Sequence, residues 1–334
     1  MPARIVLLVT SPRLPAGLLS AAAWDLVRAA PVLAAAETPQ LAAIRAAGAD
    51  VRVLAADEDG VAALLAAAAD HDRVVWLAGP GGDEDLARRL GQRLVREPGL
   101  AELEVVYGSW DPPGARLLDA VAVVDRLRSP GGDPWKQQQT HQSLAHYLLE
   151  EAYEAYDAIE AHDLDALREE IGDVLFQVLL HARLAEEQPE ERRWTIDDVA
   201  GDFVEKMIRR NPHVFGGVPV AGVEEVVDNW ERIKRAEKAR ASALDGIARS
   251  QPALSLATKI VSRARRAGID VPPPPAPESV DPTDAAALGR ALLGLAAAAY
   301  EAGVDPEAAL RRAALAYADE LRAAERAASD RPRD

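Results

Sequence analysis

The chain has no cysteine, two methionines, and aromatics at only 4% of its 334 residues. The missing cysteine excludes disulfides, thiolate nucleophiles and every zinc or iron–sulfur centre that uses sulfur. Oxygen and imidazole are then the only side-chain metal ligands, so any bound metal is expected to be hard. Basic residues are in deficit, 38 Lys and Arg against 54 Asp and Glu, for a net charge of −16. A chain with that balance lacks the basic face that non-specific nucleic-acid binding needs, while a local basic pocket for a small anionic substrate stays open. No apolar run approaches the ~20 residues of a membrane span, and the N-terminus lacks a signal pattern. The expectation is a soluble, cytoplasmic protein with no membrane or nucleic-acid partner.

What is present is 49% hydrophobic residues, dominated by Ala, Leu and Val, enough for two or three domains of closely packed helices. Short β-branched runs open the chain: Arg4–Val9, Val51–Leu54, Val74–Leu77 and Leu103–Tyr107. Alanine-rich helical stretches separate them, the alternation of a small parallel α/β domain. From about Asp119 the strand signal stops and helical patterns follow, broken at Ser129–Pro134 and Gln188-Pro189. Pro272–Pro277 cannot continue a helix and is expected to be an extended spacer before the last helices. Three regions are expected: an α/β domain at 1–115, an all-α region at 119–240 and a further all-α region at 241–334.

The chemistry gathers in the middle region. A helix from Ser143 to about Ala161 carries an apolar stripe of Leu144, Leu148, Ala155 and Ala158, interrupted by Glu151. Glu154 lies three residues on, so the two carboxylates can enter one volume, with Glu150 on the adjoining flank. Glu170 and Asp173 repeat that spacing before the apolar run Val174–Leu180. Between Lys136 and Arg168 there is no lysine or arginine to neutralise Glu150, Glu151, Glu154, Asp157, Glu160, Asp163 and Asp165. Carboxylates converging beside a core repel one another and have raised pKa values unless a cation compensates them. Mg²⁺ or Mn²⁺, which favour carboxylates together with substrate phosphate, suit this ligand set. Downstream, Lys206 with Arg210, and Trp230 with Lys234, are each four apart on helices and can hold a phosphate and stack on a base or sugar. A solvated acidic face beside surface cations is the plainer alternative.

These residues resemble the MazG family of nucleoside triphosphate pyrophosphohydrolases, all-α Mg²⁺ enzymes with the signature Glu-Glu-x-x-Glu, spacer, Glu-x-x-Asp. Here these are Glu150-Glu151-Ala152-Tyr153-Glu154 and Glu170-Ile171-Gly172-Asp173. The likeness runs from about Val124 to Arg240, through Asp125–Pro130, Pro134-Trp135, Gln139-Thr140, Arg209–Phe215 and Trp230–Lys234. It departs from the family at Asp133 and Asn211, where Cys and His are usual; only local packing or substrate contacts are expected to change. The resemblance implies Glu151, Glu154, Glu170 and Asp173 as metal ligands, and Lys206, Arg210, Trp230 and Lys234 as triphosphate and nucleoside contacts. It implies attack of water at the α-phosphorus of an NTP or dNTP, giving the monophosphate and pyrophosphate in a house-cleaning role. Glu150 is assigned to orient or deprotonate that water. A homodimer is implied. The rival of a different class is a non-catalytic regulatory or scaffold protein whose acidic helices bind a partner.

The N-terminal region is similar to the first half of the tetrapyrrole methylase fold, through its opening strand and Ala78–Asp83. Its first strand runs into Thr10-Ser11-Pro12-Arg13 rather than a glycine-rich S-adenosylmethionine loop, so a remnant or docking domain is expected. The C-terminal region is expected to be a degenerate second copy: Ala287–Leu293 repeats the apolar pattern of Glu170–Phe176, with Ala287 and Arg290 in place of the carboxylates.

Overall fold

The computed structural model describes residues 2–80, 82–237 and 241–329. Gly81 of the glycine-rich turn, Arg240 and the last five residues of the charged tail therefore lie outside the described residues. The chain divides into two compact units, Met1–Asp202 and Phe203–Asp334.

The first unit opens with a five-stranded, wholly parallel sheet of β1 (Ala3–Val9), β2 (Val32–Ala34), β3 (Val51–Val53), β4 (Arg73–Leu77) and β5 (Ala101–Tyr107) in the order β3-β2-β4-β1-β5. Its helices are α1 (Ala21–Ala29), α2 (Pro39–Ala46), α3 (Gly60–Asp70) and α4 (Glu84–Arg96). Successive residues of β1 point to opposite faces: Val6 and Leu8 join a core with Leu26, Val27, Leu41 and Ile44 of α1 and α2. Ile5 and Leu7 join another with Val61 and Leu64 of α3 and Leu90 of α4. Burial on both faces explains why β1 and β4 read as apolar runs, while the edge strands β3 and β5 carry Arg52, Glu102 and Glu104. Ser20, Thr38 and Asp59 cap α1, α2 and α3 through side-chain oxygens that accept backbone N–H groups. The parallel α/β expectation holds; β2, three residues long, is the strand that the sequence pattern does not show.

The all-α part of this unit holds α5 (Arg116–Arg128), the short α6 (Pro134–Gln137), α7 (His141–Glu160), α8 (Leu164–Ala185) and the start of α9 (Ile196–Arg210). Val124 of α5, Leu144 of α7 and Leu179, Leu180 and Leu184 of α8 form its core. Arg183 of α8 bonds Asp125 of α5 at 2.7 Å, and Arg128 bonds Glu187 at 2.8 Å, so charged residues of the Asp125–Pro130 segment tie α5 to α8. Asp133 caps α6, accepting from Lys136 N at 2.9 Å and pairing with its Nζ at 3.1 Å. A tight turn joins α7 to α8: His162 takes the left-handed conformation at φ 56°, Asp163 N bonds Ala158 O at 3.0 Å, and Asp163 caps α8. The hairpin sets α7 antiparallel against α8.

The second unit holds the rest of α9, then α10 (Pro212–Phe215), α11 (Val223–Glu237), α12 (Ala253–Arg266), α13 (Ala285–Glu301) and α14 (Pro306–Ser329). Asn211, where the family usually has His, donates Nδ2 to Met207 O at 2.8 Å at the end of α9. Pro272–Pro277 forms no regular element, as its composition requires. Among the described residues no helix is long and apolar enough to cross a membrane.

Candidate active site

The two acidic pairs come from the facing helices of the α7–α8 hairpin. Because the turn at His162 fixes the register, carboxylates at three-residue spacing on α7 meet carboxylates at the same spacing on α8. Glu151, Glu154 and Glu170 each offer an oxygen within 4.8 Å of the other two. Glu151 and Glu170 are half-buried and Glu154 is exposed. Asp173 is exposed and lies outside this close group, although its charge acts on both Glu151 and Glu170. Glu150 is exposed on the flank of α7.

The electrostatics match a site that wants a cation. Glu151 is held above the usual carboxylate range, first by desolvation and then by the charges of Asp173 and Glu154. Glu170 is raised by desolvation, then by Glu154, Asp173 and Glu169. Mutual repulsion is thus real but second to desolvation, because the helix pair shields these oxygens from water. A hard divalent cation fits this all-oxygen donor set, which neither sulfur nor imidazole enters.

Gln177 was not marked out by the sequence reading. It sits on α8 four residues after Asp173, is 4% exposed, and its enclosed Oε1 has no hydrogen-bond partner. A lone amide in the otherwise apolar run Val174–Leu180 was the available signal.

The cationic residues belong to the second unit. Arg210, 8% exposed, passes over the ring of Trp230 at 5.3 Å and forks onto Glu237 with bonds of 2.6 to 3.2 Å. Arg209 reaches the same carboxylate at 2.7 Å, and the two guanidinium groups hold Glu237 down at about 2. Lys234 lies 4.4 Å from the Trp230 ring centre, so the indole carries a cation from each of α9 and α11. Lys206 lies 5.8 Å from the exposed ring of Phe203, apart from the Trp230 group. The structure thus joins Arg210, Trp230 and Lys234. Glu237, the partner of Arg210, lies 27 residues on and is beyond any helical spacing rule.

Residues 139–215 match the MazG nucleotide pyrophosphohydrolase domain. The chain is 47% identical over 247 residues to an uncharacterised 26.1 kDa protein of Streptomyces cacaoi, covering 74% of this chain and 96% of that one. It is 43% identical over 214 residues to the nucleoside triphosphate pyrophosphohydrolase of Mycobacterium tuberculosis, across 64% of this chain and 59% of the relative. It is also 36% identical over 224 residues to the nucleoside triphosphate pyrophosphohydrolase/pyrophosphatase MazG of Thermotoga maritima, covering 63% of this chain and 85% of that protein.

Proposed function

We propose, from the premise that this chain belongs to the MazG nucleotide pyrophosphohydrolase family, that it hydrolyses NTPs or dNTPs between the α- and β-phosphates to the monophosphate and pyrophosphate. The observation that carries this is the meeting of Glu151, Glu154 and Glu170 from two helices of one hairpin. With Asp173 they are the residues that would hold Mg²⁺, or Mn²⁺ in its place. Bound there, the metal supplies polarisation of phosphoryl oxygens and an acidified water. Glu150, on the solvent side of α7, orients that water or takes its proton. Lys206, Arg210 and Lys234 stabilise charge on the triphosphate and its pyrophosphate leaving group, and Trp230 stacks on the nucleoside. Residues 119–240 form the catalytic region, working as a homodimer in the cytoplasm. Residues 241–334 are a degenerate copy with no catalysis of their own, since Ala287 and Arg290 offer no metal ligand.

The test is a panel of NTPs and dNTPs with Mg²⁺, read for monophosphate and pyrophosphate rather than diphosphate and phosphate. Glu170→Ala is expected to lower turnover by roughly a hundredfold or more. The variant should stay folded and be as stable as wild type or more so, because a desolvated, repelled carboxylate is removed from the apo protein. Wild-type turnover in Glu170→Ala at saturating Mg²⁺ would refute the ligand assignment.

A further inference from the structure

The helical spacing of Lys206, Arg210, Trp230 and Lys234 leaves out Arg209, yet Arg209 shares a carboxylate with the most buried member of that group. Arg209 Nε donates to Glu237 Oε1 at 2.7 Å. Arg210 bonds both Glu237 oxygens, from Nε at 3.2 and 3.1 Å and from Nη2 at 2.6 Å. The Arg210 and Glu237 side chains are only 9% and 13% exposed, so this pair, lying between α9 and α11 beside Trp230, has little surface to offer a ligand. Arg209 differs: its side chain is 53% exposed.

The tie of Arg209 to Glu237 engages Nε and leaves both Nη groups, the end of the guanidinium fork that grips an oxyanion, outside that bond. Lys206 stands three residues before Arg209 and shares its helix face, so two exposed-side cations of α9 are neighbours. Two guanidinium groups on one carboxylate also leave the cluster with surplus positive charge beside the Trp230 ring. We propose that Arg209 is a further substrate-binding residue, an oxyanion contact for the triphosphate, and that Glu237 is its positioning residue. The carboxylate holds Arg210 on Trp230 and pins Arg209 by its Nε, so that the Nη groups are presented to the ligand. Nearly buried Arg210 then acts through its charge and its hold on the indole, while Arg209 supplies direct bonds. This rests on the substrate reading above.

The experiment measures binding of methylene diphosphonate, a pyrophosphate with a non-hydrolysable bridge, to the full chain by calorimetry at saturating Mg²⁺, with thermal unfolding in parallel. Arg209→Met should unfold close to the wild-type temperature, because exposed ion pairs contribute little. It should bind roughly ten- to a hundredfold more weakly, the worth of one charge-assisted hydrogen bond. Arg322→Met removes the same charge from an exposed position on α14 and should bind as the wild type does. Glu237→Gln makes the chain less negative, so charge alone would tighten binding, whereas loss of positioning weakens it; weaker binding is expected. Glu237→Asp, which keeps the charge but falls a methylene short, takes its place if Glu237→Gln does not fold, and should weaken binding too. Wild-type affinity in Arg209→Met, or an equal loss in Arg322→Met, overturns the contact. Tighter binding in Glu237→Gln, or unchanged binding in Glu237→Asp, overturns the positioning role. No binding by the wild type overturns the reading of the α9 and α11 cations as an anion site on which the proposal stands.

Discussion

Gly294 and Gly289 both interrupt α13, yet a methyl group at each would meet different surroundings. A Cβ on Gly294 would lie 2.6 Å from Pro275 O and 2.8 Å from Pro274 O, whereas a Cβ on Gly289 would meet nothing within 4 Å. The proline-rich segment thus passes directly over the buried Gly294, and its fixed φ angles leave the chain little slack to move aside. Gly294→Ala should cost about 1–3 kcal/mol through overpacking. Gly289→Ala, exposed in a helix interior, should gain about 0.5–1 kcal/mol from helix propensity. Urea unfolding of the two variants checks this: equal midpoints would mean that the strap does not press on α13. Composition alone predicts an extended spacer at Pro272–Pro277, but which glycine it crosses depends on tertiary approach and leaves no local mark.

At the scale of elements, the α7–α8 hairpin carries a second polar pair beyond its carboxylates. His141 Nδ1 and His181 Nδ1 are 2.8 Å apart with the rings stacked, Trp194 stacks on His141, and His181 Nε2 is buried without a partner. One Nδ1 donates and the other accepts, so the accepting imidazole is neutral in the folded pair. Desolvation, then the neighbouring His141, holds His181 below the usual histidine range. A base with a depressed folded pKa binds fewer protons than the unfolded chain, so its contribution to stability is present above about pH 6.5 and is lost as pH falls below it. Unfolding midpoints should therefore drop from pH 7 to pH 5 in the wild type and drop less in His181→Phe; an unchanged slope in that variant would assign the acid sensitivity elsewhere. The elements with a clear local pattern are legible in the sequence: α7, α8 and the parallel strands β1, β3, β4 and β5. So are Glu151, Glu154 and Glu170, because three-residue spacing on a helix is a geometric statement. β2 escapes because Val32-Leu33 runs straight into Ala34-Ala35-Ala36, which reads as part of an alanine-rich helical stretch. The burial of Gln177, the exposure of Asp173 and the clamp of Glu237 on Arg210 escape because each is set by a neighbouring helix.

For the whole molecule, the question is what covers the outer side of that hairpin. Leu164, Ile171 and Val178 recur every seven residues along α8 and are 77%, 53% and 37% exposed, with Leu149 and Tyr153 exposed on α7. A seven-residue apolar repeat suits another helix as its partner, and the proposed homodimer supplies one. The net charge of −16 opposes association, since two copies bring their acidic excess together. Apolar burial must outweigh that repulsion, and salt, by screening it, should tighten the dimer. Sedimentation of the wild type is expected to give twice the 35.7 kDa chain mass, with dissociation weakening as NaCl is raised. Leu164→Glu with Val178→Glu should return the single-chain mass without loss of helix content, because both side chains are exposed in the chain by itself. A wild type that sediments as a single chain, or a double variant that stays dimeric, would show that the stripe is not where two copies meet.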